Sequence, residues 1–524
     1  MNKRTLRRRL RAGFGAVPQV RYEAGDMDHI REYWDFRRET ESFGLDEITW
    51  NDLDLEDVFR RINPGLSLSG EQYLYYMLRT PAQDRAGYEK RRRLVELMEE
   101  EDLRLDLQMI LHRLGCRRRA RLCRAFVPES HSPLWLVIYL MLLAVTLAAA
   151  VITAFSLQTG LTLLVLSCTA NGIVHELRIR QVQSDFDTVN YTVGMVFALR
   201  RIRKLHNRQL DEELQEAYQA LDGLKTVIRT GGVSRAPDDG ISALVMMLTL
   251  VDLIAYEVLK NKLGRCHQQV FAVHEALGRL DAAIAVVSWR AGMEVWCLPE
   301  LDFGAAGLQL QGVVHPLLEE PVPNDLTAGR CVLITGSNAS GKSTFLKSAA
   351  LCAVLSQSLC TAPAESYRSG AFRIYSSMAL QDDLLGGESY YIVETRSLKR
   401  ILDAAGEDGL PVLCVIDEVL RGTNTVERIA ASSQVLETLA RTKALCLAAT
   451  HDLELCGLLE GCYDLYHFSE YIQDDEMWFD YRLQPGMATS RNAINLLRLL
   501  GFDEELVAKA HQRADAYTRT GVWR

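Results

Sequence analysis

A lysine between a glycine and two hydroxyl residues, Gly341-Lys342-Ser343-Thr344, closes a loop that begins Gly336-Ser337-Asn338-Ala339-Ser340. The spacing G-x-x-x-x-G-K-[ST] is the chemistry of a phosphate cradle. Gly336 and Gly341 permit backbone angles that let successive N–H groups converge on phosphate oxygens, and the helix start that follows adds its positive dipole end. Lys342 can reach β- and γ-phosphates as a point charge, and the Ser343 hydroxyl can face Mg²⁺. Two further groups sit at matching places downstream. Asp417-Glu418 closes the apolar run Val412 to Ile416, and Thr450-His451-Asp452 closes Ala444 to Ala449. Asp417 can hold Mg²⁺ through water opposite Ser343, while Glu418 can orient or deprotonate an attacking water. A lone histidine is more often structural, but His451 at the end of a third such strand is placed to sense a γ-phosphate. The chemistry expected is ATP hydrolysis with Mg²⁺.

The elements that must position these groups are legible around them. Cys331-Val332-Leu333-Ile334 reads as a short buried strand before the loop, and Phe345 to Ser356 as the helix after it. Continuous apolar runs ending in polar residues are the mark of parallel strands covered on both faces. The expectation is therefore an α/β P-loop domain with its chemistry at the C-terminal strand edge.

The chain has 524 residues, too many for one core, with 48% apolar and 24% charged residues, the balance of a folded protein. A net charge of −9 argues against a uniformly nucleic-acid-coating protein but leaves room for local basic patches, at Arg4 to Arg11, Lys90 to Arg93, Arg117 to Arg124 and Arg200 to Lys204. Each patch taken alone reads as a solvated helix face. The twelve cysteines are scattered through apolar runs such as those of Cys331, Cys352, Cys414 and Cys446, without C-x-x-C pairs or zinc-site spacing. They read as core residues in a reducing compartment, and no structural metal is expected. The basic N-terminus has no apolar segment behind it, so it does not read as a secretory signal.

Taken in order, residues 1–43 form a charged helical segment anchored by Tyr33, Trp34 and Phe36, and residues 44–130 a helical region. Within the latter, Leu68-Ser69-Gly70-Glu71-Gln72 looks like the signature peptide of ABC-type ATPases but precedes the phosphate loop, so it is read as a helix start capped by Ser69. Residues 131–176 are expected to form a transmembrane hairpin. Ser132 to Val174 carries no Asp, Glu, Lys or Arg, and its first arm, Leu134 to Phe155, is long enough to cross a ~30 Å hydrocarbon layer. Trp135 and Tyr139 suit the interface, Ser156 to Gly160 reads as a tight turn, and Leu161 to Val174 returns as a shorter, more polar arm. Arginines on both flanks place both ends in the cytosol. The alternative is a buried helical hairpin in a soluble protein. Residues 177–300 read as long helices. Ile241 to Val251 among them is too short to span and is expected to be a core helix. Residues 301–524 carry the nucleotide chemistry.

Several ordered segments resemble the ATPase domain of the MutS family of DNA mismatch-repair proteins. Thr335 to Thr344 resembles that family's T-G-P-N-M-G-G-K-S-T, departing at Ser337, Ala339 and Ser340. Ala362-Pro363-Ala364-Glu365 resembles its P-A loop. Asp382-Asp383-Leu384 with Ser389 and Glu394 resembles its D-D-L-x-x-G-x-S-x-F-x-x-E segment. Asp417-Glu418 with Arg421-Gly422-Thr423-Asn424-Thr425, Ala449-Thr450-His451, His315-Pro316, Asn324-Asp325 and Tyr481 to Gly486 continue the series. The fold class implied is an α/β P-loop NTPase domain, ABC-like and of MutS type, preceded by an all-α core and lever region that a transmembrane hairpin interrupts. The resemblance also implies a homodimer through the ATPase domains, with Ser389 reaching the partner's γ-phosphate, and DNA as a partner of the levers.

The departures are as informative. Family members that read mismatches carry two domains before the core with a Phe-x-Glu wedge. Here core-like text starts near residue 44, and Phe468-Ser469-Glu470 and Phe502-Asp503-Glu504 lie in or after the ATPase domain. The leading expectation is a membrane-anchored dimeric ATPase related to mismatch repair, lipid-bound through residues 134–174, whose cycle moves helical levers around DNA, with the departures speaking against mismatch recognition. The alternative keeps the ATPase as a membrane-bound remodelling or signalling switch with no DNA partner. An ABC-type transporter is disfavoured because two spans make a poor translocation path.

Overall fold

The apolar runs that end in chemistry-bearing residues become the inner strands of a six-stranded sheet in the computed structural model. It describes residues 2–127, 134–225, 227, 240–337, 340–378, 390–473, 476–487, 494, 497–498 and 501–520. The strands are β1 (Glu300–Asp302), β2 (Leu308–Val313), β3 (Asn324–Ala328), β4 (Val332–Thr335), β5 (Ser366–Gly370), β6 (Arg373–Ser377), β7 (Val412–Asp417), β8 (Leu445–Thr450), β9 (Asp464–Gln473) and β10 (Glu476–Pro485). The large sheet runs β10-β9-β4-β8-β7-β6, parallel except for the β9–β10 pair. A smaller mixed sheet runs β1-β5-β2-β3.

Every residue of β4, β7 and β8 is buried, as strands sandwiched between helix layers must be. Their register brings Thr335 opposite Thr450 and Asp417 opposite Ala449, so the phosphate loop, Glu418 and His451 leave one sheet edge side by side. Leu333, Cys414, Ile416, Cys446 and Ala448 pack with Leu436 and Leu439 in the core beneath that edge. All twelve cysteines are free thiols, and Cys331, Cys352, Cys414 and Cys446 are fully enclosed.

The chain divides into two compact units, and a single cut does not separate them. Met1–Thr40, Ile62–Tyr76 and Arg93–Gly292 form one; Glu41–Arg61, Met77–Arg92 and Met293–Arg524 form the other. The α/β unit thus includes helix Glu47–Asp52, whose Asp52 Oδ2 accepts from the Ser376 hydroxyl at 2.6 Å and the Met378 amide at 3.0 Å. These bonds tie off the end of β6. The Arg79 guanidinium, wholly buried, donates to Leu45 O and Glu47, each at 3.0 Å, and stacks 4.0 Å over the Trp50 ring.

The other unit is mostly helical. Tyr33 and Trp34 of helix Asp26–Arg37 are buried as expected of anchors, whereas Phe36 stays partly exposed. Arg118 binds Glu71 at 2.6 Å and Asp26 at 2.7 Å. Helix Leu68–Arg79 is capped by Ser67, which accepts from the Gly70 amide at 3.1 Å, and not by Ser69. Ser69 lies inside the first turn with its hydroxyl on Met195 Sδ.

Three differences from the sequence expectation concern the apolar segment. The turn after helix Leu134–Phe155 is one residue, Ser156, because helix geometry resumes at Leu157. The second arm does not stop at Val174: it is one helix of 47 residues from Leu157 to Arg203, and its polar residues do not interrupt it. Thr162 and Thr169 return their hydroxyls to the carbonyls of Gln158 and Val165 at 2.8 Å, which leaves the backbone ladder intact. The third difference is helix Gly240–Thr249, expected to be core. Its Leu244 and Val245 are 51% and 53% exposed, because it lies against the outside of the long arm.

Candidate active site

β4 ends at Thr335, and the chain turns through Gly336 with φ of 147° into the loop, leaving it at Gly341 with φ of 107°. A Cβ at Gly336 would lie 3.0 Å from the Phe468 carbonyl oxygen, so the turn needs glycine for both conformation and space. Helix Lys342–Leu359 starts at once, and its buried flank locks the loop to the sheet. The Lys342 ammonium donates to the carbonyls of Gly336 at 2.8 Å and Ser337 at 2.7 Å. Burial lowers its pKa against the pull of Asp417 and Glu418, so its charge is held by these acids and the loop carbonyls. The hydroxyls of Ser337 and Ser340 are enclosed and have no hydrogen-bond partner among the described residues. Asn338, Ala339 and Ser389 lie outside the described residues, as does Asp382-Asp383-Leu384.

At the end of β7, Asp417 Oδ2 accepts from the Ser343 hydroxyl at 2.5 Å, while its buried Oδ1 has no partner among the described residues. A hydroxyl and a carboxylate with a free lone-pair face are the donor set that suits Mg²⁺. Burial raises the Asp417 pKa, opposed by Ser343 and Arg421. The next residue, Glu418, sits in the left-handed region at φ of 56°, and Leu420 follows at 58°. Such angles cost about 1–3 kcal/mol each and persist only where surroundings enforce them. Here the Glu418 amide donates to Ala449 O at 2.9 Å, and the Arg421 amide donates to buried Glu394 at 3.2 Å.

The strained turn aims the Glu418 carboxylate between the Arg421 guanidinium, with Nε at 2.5 Å, and the His451 imidazole, with Nδ1 at 3.4 Å. Burial alone would raise the Glu418 pKa, but the His451 hydrogen bond and the Arg421 and Lys342 charges hold it below the usual carboxylate range. Glu418 in turn raises the His451 imidazole above its ordinary value. Asp452, one residue on, is engaged by Arg428 at 2.7 and 2.9 Å, which fixes the turn carrying His451. Lys342, Ser343, Asp417, Glu418 and His451 therefore converge, with Gly336, Ser337, Ser340, Gly341 and Thr344 forming the described part of the loop around them.

Beside the loop lies a cavity of about 180 Å³, walled by Gly341, Phe345, His315, Val322, Asn324 and Tyr481. Burial and the Lys347 charge bring the His315 pKa down to about 4, so its ring is neutral at ordinary pH.

Residues 332–518 match the family described as MutS domain V. The chain is 36% identical over 264 residues to the DNA mismatch repair protein MutS of Thermus aquaticus, covering 48% of this chain and 31% of that relative. It is 31% identical over 269 residues to DNA mismatch repair protein MutS 2 of Halobacterium salinarum, covering 49% and 30%. The chain carries a MutS domain V. It spans about a third of the length of the curated relatives it matches.

Within this MutS-type domain, four residues that the motifs contained but gave no role acquire one from geometry. Arg421 clamps Glu418. Glu394 receives the backbone of the turn after Glu418, where the amides of Arg421, Leu420 and Gly422 counter the effect of burial on its pKa. Asn324 donates to Tyr481 O at 2.9 Å and accepts from the Leu483 amide at 2.7 Å. That pair of bonds holds an irregularity in β10 between Phe479 and Leu483, with Tyr481 at φ of 53°, and brings the Tyr481 ring to the cavity. The motif spacing marked these segments, but only β9–β10 pairing brings residue 481 back to the loop. Glu470 carried no usable signal. It is buried on the same side of β9 as Phe468, and its charge acts on Lys342.

Proposed function

We propose that this chain binds ATP with Mg²⁺ at the loop 336–344 and hydrolyses it as a dimer. The observation that carries this is the convergence of a buried ammonium, a Ser343–Asp417 pair and a glutamate held between Arg421 and His451 at one parallel sheet edge. Ser343 and Asp417 would hold Mg²⁺, which neutralises charge developing on the phosphates. Lys342 exchanges its loop carbonyls for phosphate oxygens. Glu418 takes a proton from water as the water oxygen bonds the γ-phosphorus and the bond to the β–γ bridging oxygen breaks. His451 and Arg421 hold Glu418 ionised and aligned for this, and His451 reports the loss of the γ-phosphate. Ser389 is assigned to the partner's site on the strength of the family resemblance.

The adenine is proposed to occupy the cavity beside Gly341 with its ring against Tyr481. Base–aromatic stacking is worth about 1–3 kcal/mol, so Tyr481→Ala is expected to weaken ATP binding by about 5- to 160-fold. Binding of inorganic triphosphate should be unchanged. Equal loss for both ligands in equilibrium binding would remove Tyr481 from the base pocket.

The hairpin is proposed to cross a membrane. Its two helices have mean hydropathies of 2.6 and 1.4 in their most apolar stretches, of which only 17% and 11% is buried. A core helix of a soluble protein would be mostly covered. The first helix is roughly 33 Å long, which fits a ~30 Å hydrocarbon layer. The Arg178 guanidinium lies 3.9 Å over Trp135 and bonds the Tyr139 hydroxyl at 3.0 Å, the pairing of an interfacial belt. Both hairpin ends, and with them the ATPase domain, are assigned to the cytoplasmic side.

DNA is proposed as the partner that the helical levers engage. The exposed apolar hairpin equally suits a membrane remodelling or signalling switch without DNA. Assaying ATP turnover in the membrane fraction with duplex DNA over a salt series separates these readings. Stimulation that weakens steeply with salt is expected of phosphate contacts. Turnover indifferent to DNA at low salt would favour the switch.

A further inference from the structure

We propose that helix Gly240–Thr249 is a third lipid-facing element, a half-depth segment that lies in the hydrocarbon layer beside the long arm of the hairpin and ends at the Leu250 break. This rests on the membrane reading of the hairpin, and the test below keeps the two apart.

The hairpin supplies a depth scale. Gly160 meets Thr153 near the tip, Asn171 meets Thr146, and Arg178 meets Tyr139, a steady antiparallel register. Asn171 therefore lies roughly 22 Å along its helix from Ser156, well inside the layer that ends near Arg178. Helix Gly240–Thr249 docks at that level. Met247 reaches Gly172, where only a hydrogen occupies the space, and the Asn171 side-chain amide donates to Leu248 O at 2.6 Å and to the Thr146 hydroxyl at 3.0 Å.

That contact meets the main difficulty of ending a helix in hydrocarbon. The last carbonyls of a helix have no partner within it, and in lipid no water can serve them. Leu250 breaks the helix with φ of 54°. One carbonyl before the break is taken by Asn171, and Thr249 returns its hydroxyl to Val245 O at 2.7 Å. Immediately after the break Asp252 caps the Leu253 amide at 2.9 Å and pairs with His175 at 2.7 Å, on the Arg178 side of Asn171. Tyr139, Leu250 and Leu253 close a small core against both hairpin helices.

The outer face fits acyl chains. The segment GISALVMMLT carries no charge, and Leu244 and Val245 are about half exposed beside an arm whose Leu163, Leu166 and Ile173 are exposed as well. Ten residues rise roughly 15 Å, half the layer, so the segment cannot cross by itself.

The test places a photo-crosslinking amino acid singly at Leu244, Val245, Leu147 or Val426 in the full chain, in bilayers containing an alkyne-tagged phosphatidylcholine. Leu147 lies on the hairpin, and Val426 is exposed on the ATPase domain. Lipid adducts are expected at Leu244 and Val245 in the yield seen at Leu147, with none at Val426. Adducts at Leu147 but protein–protein adducts or none at Leu244 and Val245 would overturn the third element while sparing the hairpin. Absence of adducts at Leu147 would overturn the membrane reading, and this inference with it. Asn171→Leu, which keeps the apolar length of the arm, should lose the adducts at Leu244 and retain those at Leu147. Retention at both positions would show that Asn171 does not dock the segment.

Discussion

Glu418→Gln is expected to bind ATP with nearly the parent affinity while turnover falls about 10²- to 10⁴-fold, the usual contribution of a positioned general base. The substitution preserves volume and the hydrogen bond to Arg421 but removes the carboxylate, held between Arg421 and His451, that can accept a proton from water. Because Glu418 is held below the usual carboxylate range, the parent should lose activity to its protonation only as pH falls beneath that range. A second signature does not depend on turnover. His451 owes its raised pKa first to Glu418, so Glu418→Gln should bring its titration down toward an ordinary imidazole, as followed by NMR. The sign is definite: a pKa raised on folding means that the His451⁺ contribution is present below the unfolded pKa and is lost as pH rises through the folded one. Parent-like turnover together with an unmoved His451 titration would dismiss Glu418 as the base.

Lys342→Ala is expected to abolish measurable ATP binding. A charge-assisted hydrogen bond contributes about 1.5–3 kcal/mol, and loss of two to the phosphates weakens affinity by roughly 10²- to 10⁴-fold. Alanine also leaves the Gly336 and Ser337 carbonyls without their donor, so the loop loses the strut that shapes it. Thermal unfolding of the variant should be indifferent to added Mg-ATP, whereas the parent is stabilised in proportion to ligand concentration. The same variant tests the dimer. Mixed with Ser389→Ala subunits, it should regain activity at one composite site. Complete inactivity of a mixture proven to contain heterodimers would refute action across the interface.

The chemistry of the site was the most readable part of the chain because it is local. A glycine-flanked lysine after one apolar run, and acids or a histidine ending two others, leave few arrangements in which buried parallel strands can close. The register then follows, placing Thr335, Asp417 and Thr450 within one residue of the same level. The second half of the site was not local. Tyr481 reaches the loop only through the irregular β9–β10 pair that Asn324 holds from 159 residues away in sequence. Arg421 and Glu394 stood in recognisable motifs, but nothing in their spacing foretold that one clamps the base and the other receives the strained turn after it.

The apolar segment shows the same division. Length and the absence of charge determined that Leu134 to Phe155 would be one long helix. They could not determine where its partner stops, because Thr, Ser and Asn can satisfy themselves within a helix or across to another. Likewise, ten uncharged residues at 240–249 fit a core and a lipid-facing surface equally well, since hydropathy reports preference for an apolar neighbour and not which neighbour supplies it. The sequence alone determined the phosphate loop, its acids and histidine, and the strands that end on them, because those depend on residue type and short spacing. Tertiary structure decided the enclosure of Glu47–Asp52 by the α/β unit, the clamp on Glu418, the seat of Tyr481 and the exposed face of 240–249. Each of these is a contact between segments far apart in the chain, fixed by packing rather than by local preference.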